Sequence, residues 1–355
     1  MRIFSCTRRI VLAIAFVAFT ASSAFAASSE GSLQIADLGR CTLESGQTIE
    51  HCRIGYRTFG HLNAARDNAV LVPTWLFGTS ADLVSLFGPG TKPEQIVDSQ
   101  RFFGIAIDAL GDGVSSSPSN SDTQHGVDFP RFTTRDMVRA EYRVVTEVLG
   151  LKHLHAVLGL SMGGEQTFLW SVTYPGFFDQ AVTIVGTPRL TPYDLEVKQI
   201  QLGTILIDPD FKSGRYTTPP QLALANLFGN LTVITPEFRN AHTTREDFQH
   251  FIEVTEARQT LDANDRVAQL RAVIAHDAIG ARTLAEAAHS ATAKFLVIVS
   301  AKDRLVNPQP ALDWAATLGA PTYVSQGDCA HIIMSCDAAG VSTRVRPFLV
   351  GEPLP

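Results

Sequence analysis

The sequence has few charged residues and no run of basic ones. Asp, Glu, Lys and Arg make up 18% of its 355 residues, and the formal net charge is -6. Proteins that bind nucleic acid carry a basic patch or stripe, so no nucleic-acid partner is predicted. Hydrophobic residues make up 45% of the chain, and at this length they can form a large buried core.

The N-terminal apolar stretch is too short to span a bilayer. It covers residues 10–19, whereas a membrane-spanning helix needs about 20 apolar residues. Three arginines precede it and the small-residue pattern Ala-Phe-Ala follows at 24–26, in the order of a signal peptide. We therefore expect a cleavable signal peptide over residues 1–26, a periplasmic or secreted protein, and no stable membrane anchor. The arginines leave open whether export uses the general secretory or the twin-arginine route.

Cysteine is also scarce, with five in the whole chain. Cys6 lies in the predicted signal peptide, and the others form two close pairs, Cys41 with Cys52 and Cys329 with Cys336. An even number of paired cysteines in an exported chain predicts two disulfides. Neither pair has the spacing to histidine that is typical of a metal site, so no metal is expected.

Short apolar runs alternate with helical patterns along the chain. This alternation predicts an α/β fold with a mostly parallel central sheet and helices on both faces. The predicted strands are residues 69–73, 102–108, 154–160, 180–186, 295–300 and 322–325. A helix is predicted over 134–149 from its amphipathic spacing.

One long segment breaks this rhythm. Residues 187–291 contain no clear strand and several prolines between helical patterns, so we interpret them as a helical cap inserted into the core. The predicted organisation is a first core part at 27–186, the cap at 187–291, and a second core part at 292–355.

Residues 159–163 (GLSMG) match the pattern G-x-S-x-G, directly after an apolar run and before a helical pattern. In α/β-hydrolases this pattern places a nucleophilic serine on a sharp turn between strand and helix. Glycines two places on either side let neighbouring backbone approach closely, and the helix N-terminus stabilises developing negative charge. We therefore predict Ser161 as the nucleophile of an acyl-transfer enzyme.

The partners of Ser161 are expected later in the chain, first the acid and then the histidine. Asp303 follows the strand at 295–300, which places it at the carboxyl end of the sheet, where ligands collect in such folds. Asp313, the alternative acid, lies inside a helical pattern. His331 is the only one of ten histidines that comes after Asp303. The prediction is that His331 is the general base and that Asp303 orients it.

An oxyanion hole needs two backbone N–H donors. One is predicted at Met162, after the nucleophile, and the other in the loop after an early strand. That loop is residues 73–79, where we expect Leu76 to be the donor, with Trp75 as the alternative. Trp75 and Phe77 either line a substrate pocket or serve only in packing.

Several longer motifs carry a family resemblance. They are GYRTFGHLNA at 55–64, DNAVLV at 67–72, TRDMVRA at 134–140, GLSMGGEQ at 159–166 and Asp-Pro at 208–209. Together the sequence resembles the homoserine O-acetyltransferase family of α/β-hydrolases over most of the mature chain. The resemblance implies an α/β-hydrolase fold with a helical cap and a triad of Ser161, Asp303 and His331, and it allows for a homodimer formed through the cap.

Two departures from the family bear on the substrate. The family has an Asp after its catalytic His, which receives the substrate amino group, and this chain has Ile332 there. The family Arg that binds the substrate carboxylate aligns with Leu202. An unpaired buried charge is costly, so two aliphatic residues at these positions predict a neutral or apolar substrate.

The expected export also bears on the reaction. Acetyl-CoA is cytosolic, so an exported enzyme would not meet it, and no cofactor is expected. The sequence thus predicts an exported serine hydrolase of a small-molecule ester, thioester or lactone. The alternatives are an O-acyltransferase of the homoserine acetyltransferase type and a catalytically inactive binding protein on the same fold.

Overall fold

The computed structural model describes residues 30–258 and 261–355. The predicted signal peptide at 1–26 lies outside these ranges. Within them, none of the helices combines the length and the apolar character that crossing a membrane requires.

Eight strands form one central sheet. The strands of the described residues are β1 (Gln34–Asp37), β2 (Cys41–Thr42), β3 (Thr48–Ile49), β4 (Arg53–Phe59), β5 (Ala69–Pro73), β6 (Phe87–Gly88), β7 (Val97–Asp98), β8 (Phe103–Ile107), β9 (Leu154–Leu160), β10 (Phe178–Ile184), β11 (Lys294–Ser300) and β12 (Thr322–Ser325). The sheet runs in the order β1-β4-β8-β5-β9-β10-β11-β12. β4 pairs antiparallel with β1 and β8, and the pairs from β8 to β12 are parallel. The predicted mostly parallel sheet is confirmed.

Helices cover both faces of this sheet. Those of the described residues are α1 (Thr134–Arg143), α2 (Met162–Thr173), α3 (Pro192–Leu206), α4 (Ala223–Thr232), α5 (Pro236–His242), α6 (Phe248–Glu256), α7 (Ala263–Ile274), α8 (Leu284–Ser290), α9 (Gln309–Leu318) and α10 (Met334–Leu349). The predicted helix at 134–149 is α1 followed by a π-helical turn, Val144–Val148. α1 begins at a capping box in which Thr133 and Asp136 satisfy each other's backbone N–H groups.

The alternation of side chains along the strands builds two core layers. Val157 of β9 and Val297 of β11 pack on one face with residues of α1, α2, α8 and α9. Leu158 of β9 and Ile298 of β11 pack on the other face with residues of α10. Burial on both faces explains why these strands read as continuous apolar runs.

Two strands of the sheet, β1 and β4, were missing from the sequence prediction. β4 carries Arg53, Arg57 and Thr58 among its apolar residues, and β1 alternates between buried and accessible positions. Both lie at the antiparallel end of the sheet, where one face is less covered. A search for uniform apolar runs finds the central parallel strands and misses strands that carry polar residues, as these two do.

The segment between β10 and β11 is helical, and α3 to α7 include a core of their own. Leu202, Phe211, Val267 and Leu270 belong to this separate apolar cluster. The last helix of the predicted cap behaves differently, because Ala287 of α8 packs into the layer beneath the sheet. α8 therefore belongs structurally to the body, although it lies within 187–291.

The outer face of α3 and its C-terminal cap residue carry exposed apolar side chains beside the exposed Glu196. Tyr193, Ile200 and Ile207 are 52%, 46% and 73% exposed, and residues seven apart lie on one face of a helix. The homodimer through the cap stays a prediction, and this face is where we expect such a contact.

A buried carboxyl group in α1 should make stability depend on pH. Trp170 Nε1 donates a hydrogen bond to Glu141 Oε2 (2.7 Å), and burial raises the pKa of Glu141 from 4.5 to about 8. Between these values the folded chain holds a proton that the unfolded chain releases, so the free energy of unfolding falls as pH rises. Glu141→Gln has the same shape without the charge. In this variant we expect the free energy of unfolding to fall less steeply with pH than in the wild type, and to be higher than the wild-type value near pH 8. Urea unfolding at several pH values measures this.

Glu147→Gln is the matched control. Glu147 lies two turns further along, is exposed, and pairs with Arg143 (2.9 Å), so its removal should leave the pH profile almost parallel to that of the wild type. If the profile of Glu141→Gln also ran parallel to the wild type, Glu141 would not titrate as described.

Candidate active site

Ser161 occupies the turn between β9 and α2. Its backbone has φ 54° and ψ -122°, a region that residues with a Cβ rarely adopt. The Ser161 N–H donates to the carbonyl of Ile184 in β10 (2.9 Å), and the Glu165 N–H donates to the carbonyl of Ser161 (2.9 Å). These bonds hold the serine at the carboxyl end of the central strands.

Two glycines of the motif are required by close backbone contacts. A Cβ on Gly159 would overlap the carbonyl group of Gly163, and a Cβ on Gly163 would lie 2.5 Å from the carbonyl oxygen of Pro73. The start of α2 therefore packs directly on the end of β9 and on the loop after β5. This explains the spacing G-x-S-x-G in physical terms.

The three predicted triad residues meet in the structure. His331 Nε2 lies 2.7 Å from Ser161 Oγ, and His331 Nδ1 lies 2.7 Å from Asp303 Oδ2. The second carboxylate oxygen, Asp303 Oδ1, accepts the N–H groups of Leu305 (2.9 Å) and Val306 (3.1 Å). The side chains of His331 and Asp303 are 7% and 1% exposed, so this row of hydrogen bonds is shielded from water.

The alternative acid does not join this row. Asp313 lies in α9 with its side chain at the surface, where Gln309 Nε2 donates to Asp313 Oδ1 (2.7 Å). The choice of Asp303 over Asp313 from strand position therefore agrees with the geometry.

One predicted oxyanion donor, Met162, directly follows Ser161, and the other, Leu76, lies in the loop after β5, whose first residues pack on the start of α2. Met162 is the first residue of α2, where a backbone N–H has no partner within its own helix. Leu76 lies in a β-turn closed by the Gly78 N–H donating to the carbonyl of Trp75 (3.0 Å). In the described part of the chain, the Leu76 N–H donates to no protein acceptor, so it is free for a ligand.

Two glutamines hold this loop, and motif analysis found neither role. Gln166 Nε2 donates to the carbonyl of Thr74 (3.1 Å), and the Phe77 N–H donates to Gln269 Oε1 (2.9 Å). Gln166 lies within the conspicuous 159–166 motif, three residues after Gly163. Gln269 is 192 positions from Phe77, and no local pattern relates two residues so far apart.

The predicted pocket residues do not all come together. Phe77 and Leu76 pack against the cluster that contains Leu202, so these three share one apolar environment at the cap. Trp75 instead packs on the core layer on the α10 side of the sheet. Ile332 is 36% exposed, next to His331 but outside these clusters.

The sequence profile of the alpha/beta hydrolase fold matches residues 93–335. The chain belongs to the α/β-hydrolase fold family. Among its curated relatives are a probable esterase of Corynebacterium glutamicum (35% identical over 57% of this chain and 58% of the relative) and the ethyl acetate hydrolase of Pseudomonas veronii (33%, over 57% of each). The homoserine O-acetyltransferase of Moorella thermoacetica is 35% identical over 54% of this chain and 55% of its own length. This chain thus matches little more than half the length of these relatives.

Solved structures give the same family picture. The acetyl esterase MekB superposes with a TM-score of 0.83 at 25% identity, covering 90% of this chain and 97% of that one. The homoserine O-acetyltransferase from Bacillus anthracis superposes with a TM-score of 0.81 at 24% identity, covering 91% and 98%. At 24% identity, the likeness to the homoserine O-acetyltransferase shows that the two chains share a fold. The predicted resemblance to homoserine O-acetyltransferase-like α/β-hydrolases is confirmed.

This α/β-hydrolase also buries a lysine and a glutamate near its triad. Glu165 of α2 and Lys198 of α3 are 1% and 2% exposed. Burial raises the pKa of Glu165 to about 7 and lowers the pKa of Lys198, while the charges of Glu165 and Asp303 oppose the lowering at Lys198. Among the described residues, no group of three or more His, Cys, Asp or Glu side chains is placed to hold a metal ion. The charge of Lys198, from the cap, is therefore partly compensated by the carboxyl groups of Glu165 and Asp303 in the body.

The loop that carries His331 is tied down on two sides. The backbone N–H of His331 donates to the carbonyl of Val233 in the cap (3.1 Å). A disulfide joins Cys329 to Cys336 at the start of α10, with a Cα–Cα distance of 5.9 Å. The other disulfide, Cys41 to Cys52 (5.7 Å), closes the β2–β3 hairpin at the opposite end of the chain.

The disulfide beside His331 should matter for turnover as well as for stability. Replacing Cys329 and Cys336 together by serine removes one constraint on the loop that carries His331. Because a small misplacement of a catalytic group lowers the reaction rate strongly, we expect kcat for an ester to fall about tenfold. The free energy of unfolding should fall by on the order of 2 kcal/mol. Steady-state kinetics and urea unfolding of the double variant test both.

Removing the other disulfide provides the comparison. Serine at both Cys41 and Cys52 should cost a similar amount of stability with kcat nearly unchanged, because that hairpin carries no triad residue. Equal loss of kcat in the two double variants would refute a specific role for the Cys329–Cys336 bond.

Proposed function

We propose that this chain is an exported serine hydrolase of carboxylic esters that acts through an acyl-enzyme on Ser161. The observation that carries the proposal is the hydrogen-bonded row of Ser161, His331 and Asp303, with 2.7 Å at each contact to the imidazole. Esterases among the relatives support the reaction class. The alternative of an inactive binding protein is disfavoured by this intact arrangement.

In the first half of the reaction, Ser161 Oγ attacks the ester carbonyl carbon while His331 Nε2 accepts its proton. Asp303 accepts the N–H at Nδ1, which fixes the tautomer and stabilises the imidazolium. The N–H groups of Leu76 and Met162 bind the negative oxygen of the tetrahedral intermediate. His331 then gives its proton to the departing alcohol, and the acyl group remains on Ser161.

In the second half, water is the acceptor that fits the surroundings best. A homoserine acceptor carries an ammonium and a carboxylate, and each needs a countercharge when it leaves bulk water. Leu202 lies in an apolar cluster with Phe77, and Ile332 offers no charge next to His331. Water needs His331 as its general base: attack on the acyl-enzyme breaks the bond to Ser161 Oγ and releases the acid, and His331 returns the proton to Ser161 Oγ.

A small, neutral acyl group is the substrate feature that we favour. The relatives include enzymes named for ethyl acetate and for acetyl esters, and the apolar side chains of Leu76 and Phe77, in the loop after β5, pack against the apolar cluster of the cap. Thioesters and lactones share the same electrophilic carbonyl and are secondary candidates.

Export to the periplasm or beyond is part of the proposal. It rests on the signal-peptide pattern at 1–26 and is supported by the two disulfides, which persist in oxidising compartments.

O-Acyl transfer of the homoserine acetyltransferase type is the second candidate, and it is favoured by relatives with that activity in their names. One assay separates the two. Purified protein is given p-nitrophenyl esters of increasing acyl length, and in parallel acetyl-CoA with homoserine, with protein pretreated with a fluorophosphonate as the blank. We expect hydrolysis that is fastest for the shortest acyl chains. Homoserine-dependent release of CoA without ester hydrolysis would overturn the proposal.

A further inference from the structure

We propose that Gln269, on α7 of the cap, is a positioning residue that holds the oxyanion loop, which we define as residues 73–79 after β5. The inference rests on the proposed function, because it assigns the Leu76 N–H to the oxyanion. It extends that function by making a residue of the cap responsible for part of the transition-state stabilisation.

The Gln269 side chain is completely buried and joins two loops at the carboxyl edge of the sheet. Its Oε1 accepts the N–H of Phe77 (2.9 Å), in the loop after β5. Its Nε2 donates to the carbonyl of Leu110 (3.2 Å), in the loop after β8. Both ends of the amide are thus satisfied by backbone groups, as a buried polar side chain requires.

The turn that Gln269 contacts has an unfavourable conformation for its sequence. Residues 75–78 form a β-turn, and its third residue, Phe77, has φ 66°. A positive φ at this place is the pattern of a type II turn, which usually has glycine there. A type I turn, with negative φ, suits phenylalanine better and differs mainly by rotation of the peptide between Leu76 and Phe77.

Gln269 selects the observed orientation of that peptide. Because the Leu110 carbonyl takes an N–H from Nε2, the oxygen of the Gln269 amide must face the loop. An oxygen can accept the Phe77 N–H, but it would repel the Leu76 carbonyl that peptide rotation would bring to the same place. The Leu110 carbonyl therefore fixes the amide, and the amide fixes the turn.

Gln269 also determines which N–H group of the turn remains available to a substrate. Gln269 occupies the N–H of Phe77, so Leu76 provides the free donor of this turn. Leu76 lies between two anchors, Thr74 bound by Gln166 and Phe77 bound by Gln269. An oxyanion donor acts mainly in the transition state, so its misplacement lowers kcat more than it raises KM.

α7 is itself fixed to the body, which gives Gln269 a defined place. Asp265, one turn earlier, accepts the N–H (2.8 Å) and the hydroxyl (2.5 Å) of Ser119. The guanidinium of Arg266 lies over the Phe77 ring, 5.0 Å from its centre. Side chains of α7 therefore connect the cap to the body, through Asp265, and to the oxyanion loop, through Arg266 and Gln269.

The experiment uses Gln269→Met, which keeps the length of the side chain and loses both hydrogen bonds. We expect its kcat for p-nitrophenyl acetate to fall about tenfold or more, with little change in KM. Binding of a phenylboronic acid, whose adduct with serine imitates the tetrahedral intermediate, should weaken by the same factor. Hydrogen exchange of the segment 74–79 should become faster.

Two further variants separate positioning from general destabilisation. Gln269→Glu should retain most of kcat at about pH 6, since a buried carboxyl group stays neutral and can accept from Phe77 while donating to Leu110. Gln180→Met removes another buried glutamine, whose Nε2 donates to the Phe348 carbonyl (3.1 Å) away from the triad, and it should leave kcat and the exchange of 74–79 unchanged.

Wild-type kcat and exchange in Gln269→Met would overturn the inference, as would an equal loss of kcat in Gln180→Met. If the wild-type protein hydrolysed no ester, the proposed function would fail separately. Exchange of the segment 74–79 would still decide whether Gln269 holds the loop, and an unchanged rate there would refute it.

Discussion

Replacement of Ser161 by alanine should lower kcat for p-nitrophenyl acetate by about 10⁵-fold. The reason is that Ser161 Oγ is the atom that His331 Nε2 contacts at 2.7 Å, and alanine has no atom that can form the acyl-enzyme. The N–H groups of the oxyanion hole remain, so a small residual rate above that in water is expected. Kinetics and loss of labelling by a fluorophosphonate, read by intact mass, measure the effect.

Ser171→Ala is the matched control for this experiment. Ser171 lies in the same helix, α2, is 1% exposed, and donates to the carbonyl of Phe168 (2.7 Å). Its replacement should leave kcat and labelling unchanged. Labelling of Ser161→Ala at the wild-type rate would place the nucleophile elsewhere and remove the basis of the proposed function.

The triad could be predicted because local sequence determines where each of its members lies. Ser161 and Asp303 come shortly after buried apolar strands, β9 and β11, and the ends of neighbouring parallel strands meet at one edge of the sheet. His331 follows β12 and is the only histidine after Asp303. Order along the chain and strand ends were therefore sufficient to bring three distant residues together.

The contacts between cap and core could not be predicted in the same way. Gln269 reads as an ordinary position of an amphipathic helix, and its two partners are backbone groups, which have no sequence signature. The closeness of Lys198 to Glu165 and Asp303 likewise depends on how α3 packs against the body. The orientation of a helical insertion is set by side-chain packing across an interface, and periodicity describes only one side of it.

The cap nevertheless contributes to both halves of the proposed chemistry. The Val233 carbonyl holds the backbone of His331, and Gln269 holds the turn that carries Leu76. Leu202 belongs to the apolar cluster of the cap, and in the proposed function it replaces the arginine with which the related transferases are expected to bind a carboxylate. If the cap sets both the positions of catalytic groups and the polarity near the acyl-enzyme, changes in the cap alone can change the acyl acceptor without altering the triad.

The replacement Asp303→Asn should lower kcat by about 10⁴-fold while KM stays close to that of the wild type. Asp303 Oδ1 accepts two backbone N–H groups, from Leu305 and Val306, so the oxygen of an asparagine would occupy that position. Its NH₂ group would then face His331 Nδ1, which must become the acceptor, and the ring proton would move to Nε2. In that tautomer His331 cannot take the proton of Ser161. The pH dependence of kcat in the variant, compared with that of the wild type, reports this change.

Asp313→Asn tests whether the effect belongs to this one carboxylate. Asp313 is exposed on α9, and among the described residues its carboxylate accepts a hydrogen bond only from Gln309, so its replacement should leave kcat unchanged. Thermal unfolding of both variants shows whether the folds are comparable. A large loss in Asp313→Asn together with a small loss in Asp303→Asn would reverse the assignment. If kcat fell only slightly in both variants, the backbone hydrogen bond to Val233 and the Cys329–Cys336 disulfide would orient His331 without help from a carboxylate.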